Sequence, residues 1–405
     1  MRRWIVLGSL LVAAAGIASA QSPAAEWPQL FGPARNATAL APIAAGSSLS
    51  VAWRKPMPAG GAGLVVKGER VYTLGTDNEE DVLFAFDTAT GELVWRFPLS
   101  PTHSDAVTNG PSSTPALTGG LVVTVSSLCQ LQAIDTQTRQ VAWTHSLGGT
   151  YGSRFAKRGG CGMSPLVAGS RVVVPTAATQ GAQLAAFDVA TGKEAWTVTD
   201  IPNPAGLEPG WMDAAGGHVL YRHSKPAGVS GITAVNAANG AIVWQIDGKD
   251  GESSVTPVPV GNDRVLIENW PHVSLYDLRS RTALWTSREI SAQRAPAVAH
   301  NGHIYTFGGQ SGEFLTCVDA ATGQVKWTSR IYRGHLGLAG ETLVVLSESS
   351  GLLRLVAADP AGYRELAKVQ VLTAGARTGT PPSIAGGRIF VRNLEEIVGI
   401  RVHER

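Results

Sequence analysis

Charge is scarce in this chain: 16% of its 405 residues are Asp, Glu, Lys or Arg, the formal net charge is +2, and neither sign forms a long run. An extended basic face is therefore excluded, and nucleic acid is not expected as a partner. Hydrophobic runs of spanning length are missing after the first 20 residues, so no membrane span is expected in the mature protein. The nine histidines lack the i, i+4 or close Cys/His spacing of a zinc site. No G-x-S-x-G, glycine-rich phosphate loop or carboxylate pair in a recognisable setting occurs. What is abundant is glycine (47) and proline (23), scattered between short apolar stretches, which reads as many tight turns in an all-β protein.

The first residues have the pattern of an export signal. Arg2 and Arg3 give a basic start, Trp4 to Ile17 is largely apolar, and Ala18-Ser19-Ala20 supplies small residues for cleavage. The expected organisation is a signal peptide at 1–20, an N-terminal extension at 21–48 and one folded domain at 49–405. No cysteine follows the expected cleavage site, so a lipid anchor is not indicated. The expected location is the periplasm or the extracellular medium, where disulfides persist.

Six tryptophans, Trp95, Trp143, Trp196, Trp244, Trp285 and Trp327, each close one phrase. Its copies are AFDTATGELVW, AIDTQTRQVAW, AFDVATGKEAW, AVNAANGAIVW, LYDLRSRTALW and CVDAATGQVKW. The tryptophans lie 48, 53, 48, 41 and 42 residues apart, the length of one four-stranded propeller blade with variable loops. Within the phrase, Asp87, Asp135, Asp188, Asp277 or Asp319 ends a strand and can accept hydrogen bonds from turn amides. Gly91, Gly192, Gly240 or Gly323, four residues after the Asp or Asn, can take a positive φ. The tryptophan then lies on the last strand of its unit, where its face can pack between blades. Upstream, LVVTVSS, RVVVPT, HIYTFG and TLVVLS supply second strands, and SSTPAL, MSPLVA, SVTPVP, RAPAVA and TPPSIA supply first strands entered through a proline.

A seventh unit has lost its tryptophan, and the last unit has only three strands: TPPSIAGG, RIFVRNL and IVGIRV. The missing strand has a candidate at the other end of the chain, SVAWRKP around Trp53, which would close the ring and remove its exposed edges. The predicted fold is an all-β, eight-bladed propeller with an N-terminal strand closing the last blade; seven blades is the alternative count.

The recurring D-x-x-T-G-x-x-x-W phrase resembles the repeat of the pyrroloquinoline-quinone (PQQ) propeller family. The opening Trp27-Pro28-Gln29-Leu30-Phe31-Gly32-Pro33 is similar to the start of many secreted bacterial members. That resemblance implies the architecture and leaves the activity open, because the superfamily holds quinoprotein dehydrogenases, the assembly lipoprotein BamB and other exported propellers. Quinoprotein alcohol dehydrogenases carry an adjacent cysteine pair over the cofactor, and this chain has no Cys-Cys. The sequence therefore favours a non-enzymatic, monomeric propeller that binds an envelope or secreted protein, with no catalytic residue, metal or cofactor expected. The alternative is a PQQ- and calcium-dependent oxidoreductase with its cofactor in the axial funnel.

Loops joining one blade to the next share a face with the turns between second and third strands. The candidate binding residues on that face are Tyr151, Arg154, Lys157, Arg158, Trp211, Arg294, His335 and Arg377, a mostly cationic set with aromatic anchors suited to an anionic ligand or acidic partner segment. Cys129, in a second-to-third-strand turn, and Cys161, in the loop leaving the same blade, are expected to form a disulfide, with Cys317 a buried free thiol. The acidic turn Asp77-Asn78-Glu79-Glu80-Asp81 reads as a hairpin tip, with calcium the alternative.

Overall fold

The computed structural model describes residues 26–404 apart from 104–109, 153–159, 177, 179–180, 202–209, 213–216, 225–228, 251–255, 270, 291–294, 310–311 and 376–377. The expected signal peptide lies outside the described residues. Eight antiparallel sheets surround one axis, and a one-turn helix, Leu147–Tyr151, is the only helix among the described residues. Seven sheets have four strands, and the first blade gains a fifth. The innermost strands are short, such as Val65–Lys67, Ala116–Thr118, Leu166–Ala168 and Ser383–Ala385, and Val65–Lys67 and Ala116–Thr118 each touch their counterparts in both flanking blades.

Closure occurs as the sequence predicts. Ser48–Pro56 pairs antiparallel with Glu396–His403, from Ser48 opposite His403 to Pro56 opposite Glu396, and so supplies the outermost strand of blade 8. An apolar cluster spans this seam, with Trp53, Phe390 and Val391 of blade 8 meeting Val71, Phe84 and Phe86 of blade 1. The core has no single centre; its clusters are layers between neighbouring blades, for instance Val123 and Leu131 of blade 2 with Val172 and Phe187 of blade 3. Middle strands are accordingly apolar on both faces: every residue of Leu121–Val125 is buried, as a strand sandwiched between sheets requires.

The repeated phrase is a docking device. Asp87 Oδ1 accepts from the amides of Ala89 and Thr90 at 2.9 Å each, and Asp135 and Asp319 make the same pair of bonds. The Thr138 and Gln137 amides hold the Asp135 carboxyl below its ordinary pKa. One residue before each repeat tryptophan the register with the third strand slips, as between Val141 and Trp143. This bulge leaves Leu93 and Val94 both exposed and turns Trp95 inward.

The indole then reaches the next blade. The N–H of Trp143 donates to Val189 O (2.9 Å), Trp196 to Ala237 O (3.0 Å), Trp285 to Ala320 O (3.0 Å), and Trp53 to Thr88 O (3.0 Å) across the seam. Each ring lies on the turn glycine of that blade: a Cβ on Gly192 would fall 2.4 Å from Trp143, and one on Gly240 2.8 Å from Trp196. Asp, Gly and Trp therefore recur together because the first two shape the seat that the preceding blade's tryptophan occupies.

Candidate functional site

The eight innermost strands leave an axial channel, and its two ends are built differently. On the side where strands enter, the backbone is rich in small residues: Gly60-Gly61-Ala62-Gly63, Ser112-Ser113-Thr114 and Thr378-Gly379-Thr380. Packing there leaves no room for larger side chains at some positions; a Cβ on Gly63 would lie 2.7 Å from Thr114 Oγ1, which accepts the Gly63 amide at 2.8 Å.

The opposite end is crossed by the chain's own residues 26–43. Glu26–Trp27 pairs with Lys67 and Val66 on the axial edge of blade 1. The segment then accepts from the Leu117 amide through Pro28 O (2.7 Å) and from the Val167 amide through Gln29 Oε1 (3.1 Å), bridging blades 2 and 3. Arg35 Nη1 donates to Pro165 O at 3.3 Å. Beyond it, the Ala39 amide reaches Leu338 O (2.7 Å) and the Ile43 amide reaches Ala339 O (3.1 Å) on blade 7. The turn is held by backbone few residues adopt, with Phe31, Arg35 and Ala37 at φ of 61°, 52° and 59°. Gly32, at φ 80°, lies under the Trp27 ring. Trp27, Leu30, Phe31 and Ala37 are buried. The W-P-Q-L-F-G-P phrase is thus a folded plug of the axial channel.

Of the eight residues singled out from sequence, three are described, His335, Tyr151 and Trp211, and they lie on different elements. His335 lies on the innermost strand of blade 7, buried, with its Nε2 3.4 Å from Thr378 O of the entry to blade 8. Burial pushes its pKa down to about 4, so the ring is neutral at pH 7. Tyr151 ends the short helix on the outer wall, where its hydroxyl donates to the Glu194 carboxylate of blade 3; burial and that carboxylate raise its pKa. It therefore lies away from the axial mouth. Trp211, expected in an inter-blade loop, belongs instead to the innermost strand of blade 4, Gly210–Met212, because pairing with His218–Ser224 extends the sheet further upstream than the apolar pattern suggests. Arg154, Lys157, Arg158, Arg294 and Arg377 lie outside the described residues.

Cys129 and Cys161 are joined with Cα atoms 5.2 Å apart, and Cys317 is a buried free thiol. The acidic turn is a hairpin tip in which both aspartates are engaged. Asp77 pairs with Arg96, while buried Asp81 accepts from Thr102 Oγ1 (2.9 Å) and from the Ser127 amide of blade 2 (2.6 Å). Sequence reasoning missed a set of buried polar ties between blades. Arg392 of blade 8 donates to Leu74 O (2.6 Å) and Gly60 O (2.7 Å) of blade 1, and Arg222 of blade 4 donates to Asn269 Oδ1 and Glu268 O of blade 5. Both arginines stand near the end of a second strand, the only signal that links them.

Residues 43–158 and 151–329, more than half of the chain, match the family described as outer membrane protein assembly factor BamB. The chain belongs to this family. In overall fold this BamB-family propeller is similar to BamB from Moraxella catarrhalis, with 13% identity, 88% of this chain and 99% of that one covered, and a TM-score of 0.63. It is also similar to the quinohemoprotein alcohol dehydrogenase from Comamonas testosteroni, with 14% identity, coverage of 97% and 83%, and a TM-score of 0.69. Among curated proteins it matches the quinohemoprotein alcohol dehydrogenase ADH-IIG of Pseudomonas putida, 26% identical over 217 residues, 51% of this chain. The chain spans only 27% of the length of that relative. Its propeller type is thus shared by BamB and by quinohemoprotein alcohol dehydrogenases.

The described groups at the channel entry include hydroxyls, backbone amides and the neutral His335 imidazole. Among the described residues no group of three or more His, Cys, Asp and Glu is arranged to hold a metal ion. Among them, too, no helix is long and apolar enough to cross a membrane.

Proposed function

We propose that this protein is an exported, non-enzymatic binding propeller that engages another protein of the cell envelope or its surroundings. The observation that carries the reading is the axial plug. Residues 26–43 close the channel end opposite the inter-blade loops and tie four blades to one another. Polar groups around the axis are likewise engaged in ties between blades, as Arg392, Asp81 and Arg222 show. What remains for function is the outer surface and the loop face, the surfaces suited to a macromolecule. Membership of the BamB family supports the same reading, with the periplasm or the extracellular medium as the place of action.

One observation favours a second reading, a quinoprotein oxidoreductase: the match to ADH-IIG over half of the chain. The two separate in one experiment. Purified mature protein is incubated with PQQ and calcium, freed of unbound quinone, and assayed for dye reduction with a panel of alcohols and sugars, while a parallel sample is cross-linked in an envelope extract. We expect no retained quinone, no substrate-dependent reduction, and a stoichiometric cross-linked partner. Stoichiometric quinone uptake with turnover would replace the scaffold by the oxidoreductase.

A further inference from the structure

Blade 7 has no tryptophan to dock, and at two of the junctions that a tryptophan does face, the dock is missing. In blade 2 the position of the turn glycine is Arg139 (φ 59°), and in blade 5 it is Arg281 (φ 60°). At docked junctions a Cβ at this position would lie 2.4–2.8 Å from the indole, so an arginine there forbids the seated ring. Among the described residues, Trp95 of blade 1 accordingly donates to no carbonyl of blade 2. Its ring instead meets Tyr72 edge-on, with centroids 5.8 Å apart. The displaced seat leaves a groove of about 480 Å³ between blades 1 and 2, on the face of the first-to-second-strand turns.

The groove runs from Lys67 on the innermost strand of blade 1 to Val94 on its outermost. Four strands set its length at about 14 Å, the reach of roughly four extended residues. Lys67, Arg70 and Arg139 line it against one carboxylate, Glu69, and Arg70 is already held by Asp87 at 3.0 Å. Trp95 gives it an apolar floor. Val94, 37% exposed, forms an apolar lip.

We propose that this groove binds an extended acidic segment of a partner protein. Apolar side chains of the segment rest on Trp95 and Val94, and its carboxylates face Lys67 and Arg139. Charge complementarity selects this occupant, because the lining cations exceed the lining carboxylates and Arg139 both opens the groove and charges its wall. The proposal rests on the protein-binding reading above and names a surface and a partner chemistry for it.

The test titrates the full mature protein with the blocked tetrapeptide Asp-Leu-Asp-Phe and with its charge-reversed form Lys-Leu-Lys-Phe, by calorimetry. The acidic peptide is expected to bind, more weakly as salt is raised, and the basic one not at all. Arg139→Gly restores the seat for Trp95 and is expected to melt no lower than wild type while losing at least about tenfold in affinity. Arg139→Glu, which keeps a long side chain in place, loses it as well. Arg281→Gly, at the other undocked junction, retains wild-type affinity. Absence of binding by the wild type at millimolar peptide, or equal binding by wild type and Arg139→Glu, overturns the groove. If Arg139→Glu still retains the wild-type partner from an envelope extract, the groove fails and the protein-binding reading stands. Quinone uptake with turnover and no partner overturns both.

Discussion

Arg392 and His335 show what burial at a blade junction does to a single side chain. Arg392 is fully buried and its guanidinium is used mainly by backbone carbonyls of blade 1, with Thr73 Oγ1 the one side-chain acceptor across the junction; burial alone pushes its pKa down to about 9. Nothing in the local run RIFVR marks it out, because its surroundings come from residues more than 300 positions away. His335 is similar: its neighbours on the strand are small or apolar, and its burial depends on blade 8. Its depressed pKa has a measurable consequence. Between its ordinary 6.5 and about 4, the unfolded chain takes up a proton at this residue that the folded one refuses. Stability from this group is therefore complete above pH 6.5 and falls as the pH drops to about 4, by up to about 3 kcal/mol. Urea midpoints across that window should decline in wild type, and the decline should be shallower in His335→Gln. An equal slope in the two proteins would contradict the assignment.

Among the elements, the strand-turn-strand phrase was legible in the sequence because Asp, Gly and Trp each answer a local demand. The partner of each tryptophan was not, since the indole binds the following blade and sequence spacing carries no record of which surface it meets. The geometry makes the glycine a sensitive position. Gly192→Ala adds a Cβ 2.4 Å from Trp143 at a φ of +69°, and should lower stability by about 1–3 kcal/mol, read as a shifted denaturation midpoint with an unchanged m-value. The Cys129–Cys161 link tests another element, the turn of blade 2 against the loop that leaves it. Its partners are 32 positions apart. Mass mapping without reduction should recover the two peptides joined, and reduction should cost about 2–4 kcal/mol. Recovery of an unlinked Cys129 peptide from oxidised protein would remove this element from the account. Trp211 shows where local reading ends: with glycines, prolines and few apolar neighbours around it, its segment has the composition of a loop, and only pairing with the next strand makes it part of a sheet.

For the molecule as a whole, eight blades and their closure could be counted from one missing strand and one unclaimed strand. The axial plug could not, because residues 26–43 lack the alternation of a strand or the period of a helix, and their structure is imposed by the four blades they hydrogen-bond to. Deleting residues 21–57 removes both plug and closing strand. The truncated protein should aggregate or melt far below the intact one, and an unchanged melting curve would show that neither is needed. The closing strand also orders events in time. Ser50 meets His403 across 353 positions, so a segment made early has no partner until nearly the last residues exist. Loop closure of that span is slow, and until it happens Gly91 of blade 1 lacks the covering ring of Trp53. A chain interrupted anywhere before residue 396 keeps an open edge that proteases and chaperones can recognise. The first strand of the ring therefore waits, unpaired, on the synthesis of the last.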